Sequence, residues 1–291
     1  SAMKNDTPSF SDRLSNAVFV TVMKLVQMLP YERRIPLAGR LVSRAAPLLG
    51  FTRRVRENLA LTCPDLPEAE VKRLERAVPD RLGRVLAEIY SGEEFLARVR
   101  DLPIEGPGAE ALALAHTEGR PVVLAVGHFG NYDAWRAALS ARGYRVGAIY
   151  RPMNNAAFNE QYVAAISAIA EPLFSRSRRG LAEMMKFLRD GGMVAFGFDQ
   201  YFKRGADLTF FGQPARTPLS AAEMALKMKA DLIPVYAIRQ KDGLSFRIVV
   251  EAPIPHSDAE TMTQALNDAL EARVRENMDQ WFWIHRRWKQ R

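Results

Sequence analysis

Two uninterrupted apolar runs limit what this chain can become. Residues 121–126 read PVVLAV and residues 193–198 read MVAFGF. Neither alternates polar with apolar, so neither suits a strand with one face in water. Each fits a strand buried on both faces, the situation of a parallel sheet covered by helices. The segments around them alternate in kind. Helical spacing runs over 131–142, 156–170, 180–189, 218–230 and 261–277, and strand character over 145–150 and 232–239. A further strand over 244–250 forms a hairpin with the last of these around Asp242-Gly243. This order predicts an α/β fold with a central, mostly parallel sheet flanked by helices.

The first hundred residues have another texture. From about residue 10 to 100 apolar positions recur at three and four, punctuated by prolines 30, 36, 47, 64, 67 and 79. The stretch DLPIEGPG, residues 101–108, reads as a loop. Two parts are therefore expected: an N-terminal helical region over 1–100 and an α/β domain over 101–291. Residues 14–23 are uncharged, a run of ten and too short for a spanning helix, which needs about 20. Leu14, Val18, Val22, Leu25 and Leu29 fall on one helical stripe, with Asp12, Asn16, Lys24 and Gln27 opposite. Pro30 ends this amphipathic helix. Arginines 33, 34, 40, 44, 53, 54 and 56 follow, against only Glu32 before Glu57. An amphipathic helix followed by arginines suits a layer lying on an anionic membrane.

Lys and Arg total 41 against 33 Asp and Glu, a net charge of +8. Taken alone, that excess leaves nucleic acid, anionic lipid and acidic protein open as partners. Apolar residues at 48% and charged ones at 25% exclude a disordered chain. The single cysteine, Cys63, rules out an intrachain disulfide, fits a reducing compartment and reads as structural. Ser1-Ala2-Met3 has the look of a cloning scar ahead of a start at Met3, with no signal-peptide pattern after it.

Nucleophile elbows, Walker loops, HExxH and paired CxxC motifs are absent. Among four histidines, His128 stands out. It lies in GHFGNYD, residues 127–133, directly after a buried strand, and the carboxyl end of a strand is where α/β sheets bind ligands. Gly127 and Gly130 permit a sharp turn and close approach. Asp133 can fold back on the imidazole, fixing its tautomer and freeing the other nitrogen as a general base. It can equally serve as a cap at the start of the next helix. His116 and His256 sit in surface segments without an expected role. His285, with Trp281, Trp283 and Trp288, either anchors the C-terminus or sits at a bilayer interface, where tryptophan is enriched.

The GHFGNYD block resembles the H-x4-D/E motif of the lysophospholipid acyltransferase superfamily. In its HFGN form it is similar to the lipid A late (lauroyl/myristoyl) acyltransferase branch. Other blocks follow in order over residues 120–290. YRPMN at 150–154 resembles the branch's YRPxxN, Arg178-Arg179-Gly180 its RxG element, and Phe198-Asp199-Gln200 its DQD block. FFG at 210–212 with Thr217, and QWFWIHRRWK at 280–289, resemble its FFG…T and C-terminal QxxWxHRR blocks.

The resemblance implies acyl transfer at a membrane surface, from a fatty acyl thioester to a lipid hydroxyl. His128 and Asp133 would be catalytic, His128 as base and Asp133 orienting it. Arg151, Asn131, Gly130, Arg178, Arg179, Asp199 and Gln200 would bind substrate, with Arg151 a candidate for the oxyanion or an acidic group. Asp199 would orient Arg151 or another group of the site. No metal or cofactor is implied. The donor would be acyl carrier protein or acyl-coenzyme A, and the acceptor a lyso-lipid in an anionic membrane, not nucleic acid. The place would be the cytoplasmic face of the bacterial inner membrane, peripheral or monotopic. The branch commonly has glutamate in place of Asp133 and a second aspartate in place of Tyr201. The acceptor is therefore open between a lipid A precursor and a lyso-aminolipid of the ornithine-lipid kind, since both present the 3-hydroxyl of an amide-linked hydroxyacyl chain. A hydrolase using the same pair on water is the alternative chemistry, and an arginine-driven binding module the alternative without catalysis.

Overall fold

The computed structural model describes residues 9–289; the three residues read as a cloning scar lie outside them. Five helices come first: α1 (Phe10–Gln27), α2 (Tyr31–Ala45), α3 (Phe51–Thr62), α4 (Glu68–Ile89) and α5 (Glu93–Val99). Then follow β1 (Ile104–Glu105), α6 (Ala109–Glu118), β2 (Val122–Val126), α7 (Ala134–Ala141), β3 (Val146–Tyr150), α8 (Ala156–Ile169), β4 (Leu173–Ser175), α9 (Arg178–Arg189) and β5 (Met193–Gly197). The chain continues through β6 (Ala206–Phe210), β7 (Gln213–Thr217), α10 (Ser220–Met228), β8 (Asp231–Arg239), β9 (Phe246–Val250) and α11 (Ala259–Glu276), then a 3-10 turn, Met278–Gln280.

Seven strands form one sheet in the order β1-β9-β8-β2-β5-β3-β4. β8, β2, β5, β3 and β4 are parallel; β9 runs antiparallel to β8, and β1 pairs parallel with β9. This is the mostly parallel, helix-flanked sheet expected. The two apolar runs are neighbours in it, Val122 opposite Met193 through Val126 opposite Gly197. Val123 and Ala125 of β2 enter the core on one face, Val122 and Leu124 that on the other. Strand order places the carboxyl ends of β2 and β5 side by side, so the residues that follow them must meet.

The helical region shares these cores: Val55, Leu59, Leu74 and Val78 pack with β2 and β5 residues on one face, and Ile35 and Val85 join the other. Two prolines expected to punctuate it lie within helices, Pro36 in α2 and Pro79 in α4. Packing overrides the breaker here. The two helices cross at glycines, and a Cβ on Gly83 would fall 2.5 Å from the Ala38 carbonyl oxygen. α1 packs inward through Phe19, whose ring meets Tyr90 and Phe158 at 5.5 and 5.4 Å, and through Val26. Asn16, expected on the solvent side, is half-buried. The stripe of Leu14, Val18, Val22 and Leu25 is left exposed, Leu25 by 61%.

The seven arginines are less free than their sequence neighbourhood implies. Arg34 is buried and bonds Glu94, Arg53 and Arg54 pair with Glu57, and Arg56 pairs with Glu68 and Glu75. Arg33, Arg40 and Arg44 are exposed and have no ion pair among the described residues.

Sequence spacing leaves out α6, the short strands β1 and β4, and the hairpin β6–β7. The hairpin turns on Phe211 and Gly212, both with positive φ (51° and 70°). Such a turn ordinarily advertises itself with Asn, Asp or Gly at both positions. Phe211 instead packs its ring on Trp283 at 5.3 Å, so burial offsets the backbone cost.

Candidate active site

β2 stops at Val126, and the chain turns through Gly127 to His128 at the sheet's carboxyl edge. Gly130 (φ 60°) presses this loop onto β8, where a Cβ would fall 1.8 Å from the Ala237 carbonyl oxygen. Its backbone N–H donates to Gln280 O at 3.0 Å. Its glycine is required by this packing, and it also borders the cleft described below.

The neighbouring strand β5 delivers Asp199. One carboxylate oxygen, Oδ1, lies 2.7 Å from His128 Nδ1; the other, Oδ2, accepts the His128 backbone N–H at 2.7 Å and the Trp281 indole N–H at 2.9 Å. Asp199 is 2% exposed. Burial pushes its carboxyl up, but the charge and hydrogen bonds of His128, with the Trp281 N–H, prevail and hold it at about 2. Burial likewise disfavours the imidazolium of His128. The Asp199 charge and hydrogen bond, with a lesser contribution from Asp133, outweigh that and raise the imidazole above its ordinary value. With Nδ1–H committed to Asp199, the neutral ring presents its Nε2 lone pair outward. About a third of the His128 side chain (32%) is exposed, and Gln200 Nε2 stands 3.4 Å from His128 Nε2.

The hydrogen bond expected between His128 and Asp133 is not formed. Asp133 Oδ1 accepts from Arg136 Nε and Nη2 at 3.2 and 3.0 Å, and Oδ2 is buried without a partner. Arg136 in turn donates to the Ala170 and Ile166 carbonyls at 2.6 and 2.9 Å, tying the start of α7 to the end of α8. The cause is local. Asn131 Oδ1 caps the backbone N–H groups of Asp133 and Ala134, so α7 begins later than expected and the Asp133 side chain faces α8.

Asn131 is also not where a substrate would touch it. It is fully buried, and its Nδ2 donates to Glu88 Oε1 at 3.1 Å. Glu88 carries the buried pair with Arg239, both guanidinium bonds 2.7 Å long. Arg151 follows β3, and Arg178 and Arg179 open α9 after β4. These strands lie two and three places from β2, which at strand spacing puts their ends about 10 and 14 Å away. All three arginines are exposed. Arg179 pairs with Glu183 at 3.0 Å, and the other two have no ion pair among the described residues. The structure thus brings Asp199 and Gln200 onto His128 and leaves the arginines on the rim.

A shallow cleft opens at His128, lined on one side by Val78, Arg81, Leu82 and Val85 of α4 and on the other by Tyr132, Trp281 and Phe282. The Tyr132 ring lies 5.2 Å from the imidazole, and its phenol is pushed well up by burial. Sequence reading missed these lining residues. Tyr132 was within reach inside the GHFGNYD block; the α4 residues carried only ordinary helical spacing. It also missed Trp281 as a partner of Asp199. His285 is half-buried, its imidazole lowered to about 4 by desolvation, and its Nε2 accepts the Tyr201 backbone N–H at 3.0 Å. His116 rests on Tyr144, and His256 contacts the Ala230 carbonyl. No cluster of three or more metal-ligating side chains occurs among the described residues.

A histidine backed by a buried carboxylate at the mouth of an apolar cleft has the geometry to take a proton, and the comparisons with known proteins give the class as acyltransferase. Residues 10–290 match the family model of the bacterial lipid A biosynthesis acyltransferases, and the chain belongs to that family. It is 25% identical over 283 residues to the lipid A biosynthesis lauroyltransferase of Escherichia coli, covering 94% of this chain and 90% of that one. It is 24% identical over 247 residues to a phosphatidylinositol mannoside acyltransferase of Mycobacterium tuberculosis, covering 82% and 78%. Among solved structures, the 1-acyl-sn-glycerophosphate acyltransferase PlsC of Thermotoga maritima aligns over 84% of this chain and 97% of its own, at 12% identity and a TM-score of 0.39.

Proposed function

We propose that the protein moves a fatty acyl group from a thioester, on acyl carrier protein or coenzyme A, to a hydroxyl of a membrane lipid, with His128 as general base and Asp199 as the carboxylate that orients it. The observation that carries this reading is Asp199, held at about 2 and bonded to Nδ1, behind an Nε2 that faces an apolar cleft. In the forward step the acceptor O–H gives its proton to Nε2 while its oxygen attacks the thioester carbonyl. The tetrahedral oxyanion needs a donor, and the Gln200 amide, 3.4 Å from His128 Nε2, is a candidate for it. Collapse breaks the C–S bond, and the thiolate leaves with the proton from His128. The apolar wall of α4 suits hydrocarbon, and the rim arginines suit phosphate or carboxylate on either substrate.

For the acceptor, a lipid A precursor and a lyso-aminolipid present the same 3-hydroxyacyl amide, and relatives that act on phosphatidylinositol mannoside widen the choice to hydroxyls on anionic glycolipids. Among the described residues no helix is long and apolar enough to cross a membrane. The exposed stripe of α1, together with the exposed Arg33, Arg40 and Arg44 of α2, fits a protein seated on an anionic surface, the cytoplasmic face of the bacterial inner membrane. Lipid analysis of a deletion strain tests the whole reading. One acylated lipid should vanish and its lyso form accumulate, restored by the wild-type chain and not by His128→Ala. Free fatty acid release from the thioester with no lipid gaining a chain would make the protein a hydrolase instead.

A further inference from the structure

The segment after α11 lies as a strap across both loops of the site. Phe282 N–H donates to His128 O at 3.1 Å and Gly130 N–H to Gln280 O at 3.0 Å, with Phe129 and Trp281 bridged antiparallel between them. That side of the strap holds the His128 loop. Its other side holds the loop after β5, through Trp281 Nε1 to Asp199 Oδ2 at 2.9 Å and through His285 Nε2, which accepts Tyr201 N–H at 3.0 Å. The strap is itself fixed. Gln280 exchanges two hydrogen bonds with the Arg239 backbone, each 2.9 Å, and Asn58 of α3 donates to the Trp283 and His285 carbonyls at 2.7 and 3.0 Å.

Asp199 has two oxygens and three donors. Trp281 and the His128 backbone take Oδ2, which leaves Oδ1 to Nδ1 and stops the carboxylate from rotating. We propose that Trp281 and His285 are positioning residues for acyl transfer: the strap locks Asp199 and the turn at 199–201 against His128, keeping one imidazole tautomer with Nε2 in the cleft. This rests on the His128–Asp199 assignment above. Hydrogen-bonded neighbours of a functional group commonly carry this duty. Without the indole N–H the Asp199 charge is less satisfied, so it draws the His128 proton more strongly and His128 titrates higher. The other charged or titratable groups around the pair are Asp133 and Tyr132 ahead of α7, Tyr236 on β8, Arg81 across the cleft, His285 in the strap and Arg287 near Asp199. None of them bonds Trp281, so a shift on losing its N–H travels through Asp199.

The test uses the full chain and compares Trp281→Phe with Trp288→Phe, whose indole donates to the Phe210 carbonyl and not to the site. His128 is titrated by NMR through its ring Cε1–H, assigned with His128→Ala. Turnover is followed on lauroyl-coenzyme A with micelles of N-(3-hydroxypalmitoyl)ornithine or a tetraacylated lipid A precursor. Trp281→Phe should raise the His128 titration by about half a pH unit and lower kcat about tenfold. Trp288→Phe should lower the melting temperature and leave that titration in place. His285→Ala should lose activity that His285→Gln, which keeps an acceptor for Tyr201 N–H, restores. If His128 titrates identically in wild type and Trp281→Phe, the strap is structural only and the inference falls. If His128→Ala keeps its turnover, the acyl-transfer assignment itself fails, a result separate from any outcome at Trp281.

Discussion

Helix α1 and the strap after α11 look alike in composition, and the fold treats them in opposite ways. Both combine large apolar side chains with basic ones, the usual description of a membrane anchor. In α1 the apolar stripe faces outward, with Leu14 and Leu25 exposed by 56% and 61%. In the strap Trp281, Trp283 and Trp288 are exposed by 2%, 0% and 8%, and Arg287 is fully buried. The difference lies in what each side chain demands. An indole carries one N–H that must be paired when buried. All three are paired inside: Trp281 to Asp199, Trp283 to the Met278 carbonyl and Trp288 to the Phe210 carbonyl. Arg287 finds the Arg216 carbonyl and Thr217 Oγ1, while burial lowers it to about 10. The aliphatic residues of α1 require no such partners, and among the described residues their outer stripe stays largely exposed.

The largest effect expected along this divide is at the site the strap holds. His128→Ala should cost about 10²–10⁴ in kcat. Asp199→Asn, which frees the imidazole to take the wrong tautomer, should approach the same loss, measured as initial rates on folded protein. Asp133→Ala offers a contrast. It should lower kcat less than Asp199→Asn but cost stability by about 3 kcal/mol in denaturant melts, since it strands the buried Arg136 charge. A kcat loss at Asp133 equal to that at Asp199, without loss of stability, would return the orienting role to Asp133.

On the α1 side, Val18→Glu with Leu25→Glu should weaken binding to anionic vesicles about tenfold or more, read by flotation, and leave the melting temperature nearly unchanged. Trp281→Phe should do the reverse. Vesicle binding lost from the strap variant and kept by the α1 variant would invert the comparison.

Smaller effects follow from titration. The proposed base must be neutral, and the His128 pKa is raised, so kcat/KM should fall with decreasing pH at a limb above the ordinary histidine value. His285 is depressed to about 4 in the fold. Below the ordinary histidine value near 6.5 the unfolded chain takes up a proton that the folded chain refuses, so stability present at neutral pH is lost as pH falls toward 4. His285→Gln should flatten that part of the melting curve.

Much of the sheet was legible because its signal is local. PVVLAV and MVAFGF declare two buried strands wherever the rest of the chain goes, and the glycines beside His128 mark a strand end. The partner of His128 was not legible in the same way. Asp133 is five residues from it, and proximity in sequence made it the obvious choice. Asp199 is made adjacent only by strand order, which places β5 next to β2. The pairing of four of the seven arginines after residue 30 was hidden for a similar reason. Three of their counterions, Glu68, Glu75 and Glu94, come from α4 and α5. Pro36 and Pro79 signal helix ends by intrinsic preference, yet both lie inside helices, α2 and α4, that pack closely at Gly39 and Gly83.

The sequence separations within the site have a kinetic consequence. Asp199 reaches back 71 residues to His128 and forward 82 to Trp281. Contacts this distant close late, after helices and neighbouring strands have formed. On dilution from denaturant, helical circular dichroism should therefore recover first, the quenching of Trp281 fluorescence next, and turnover last of all.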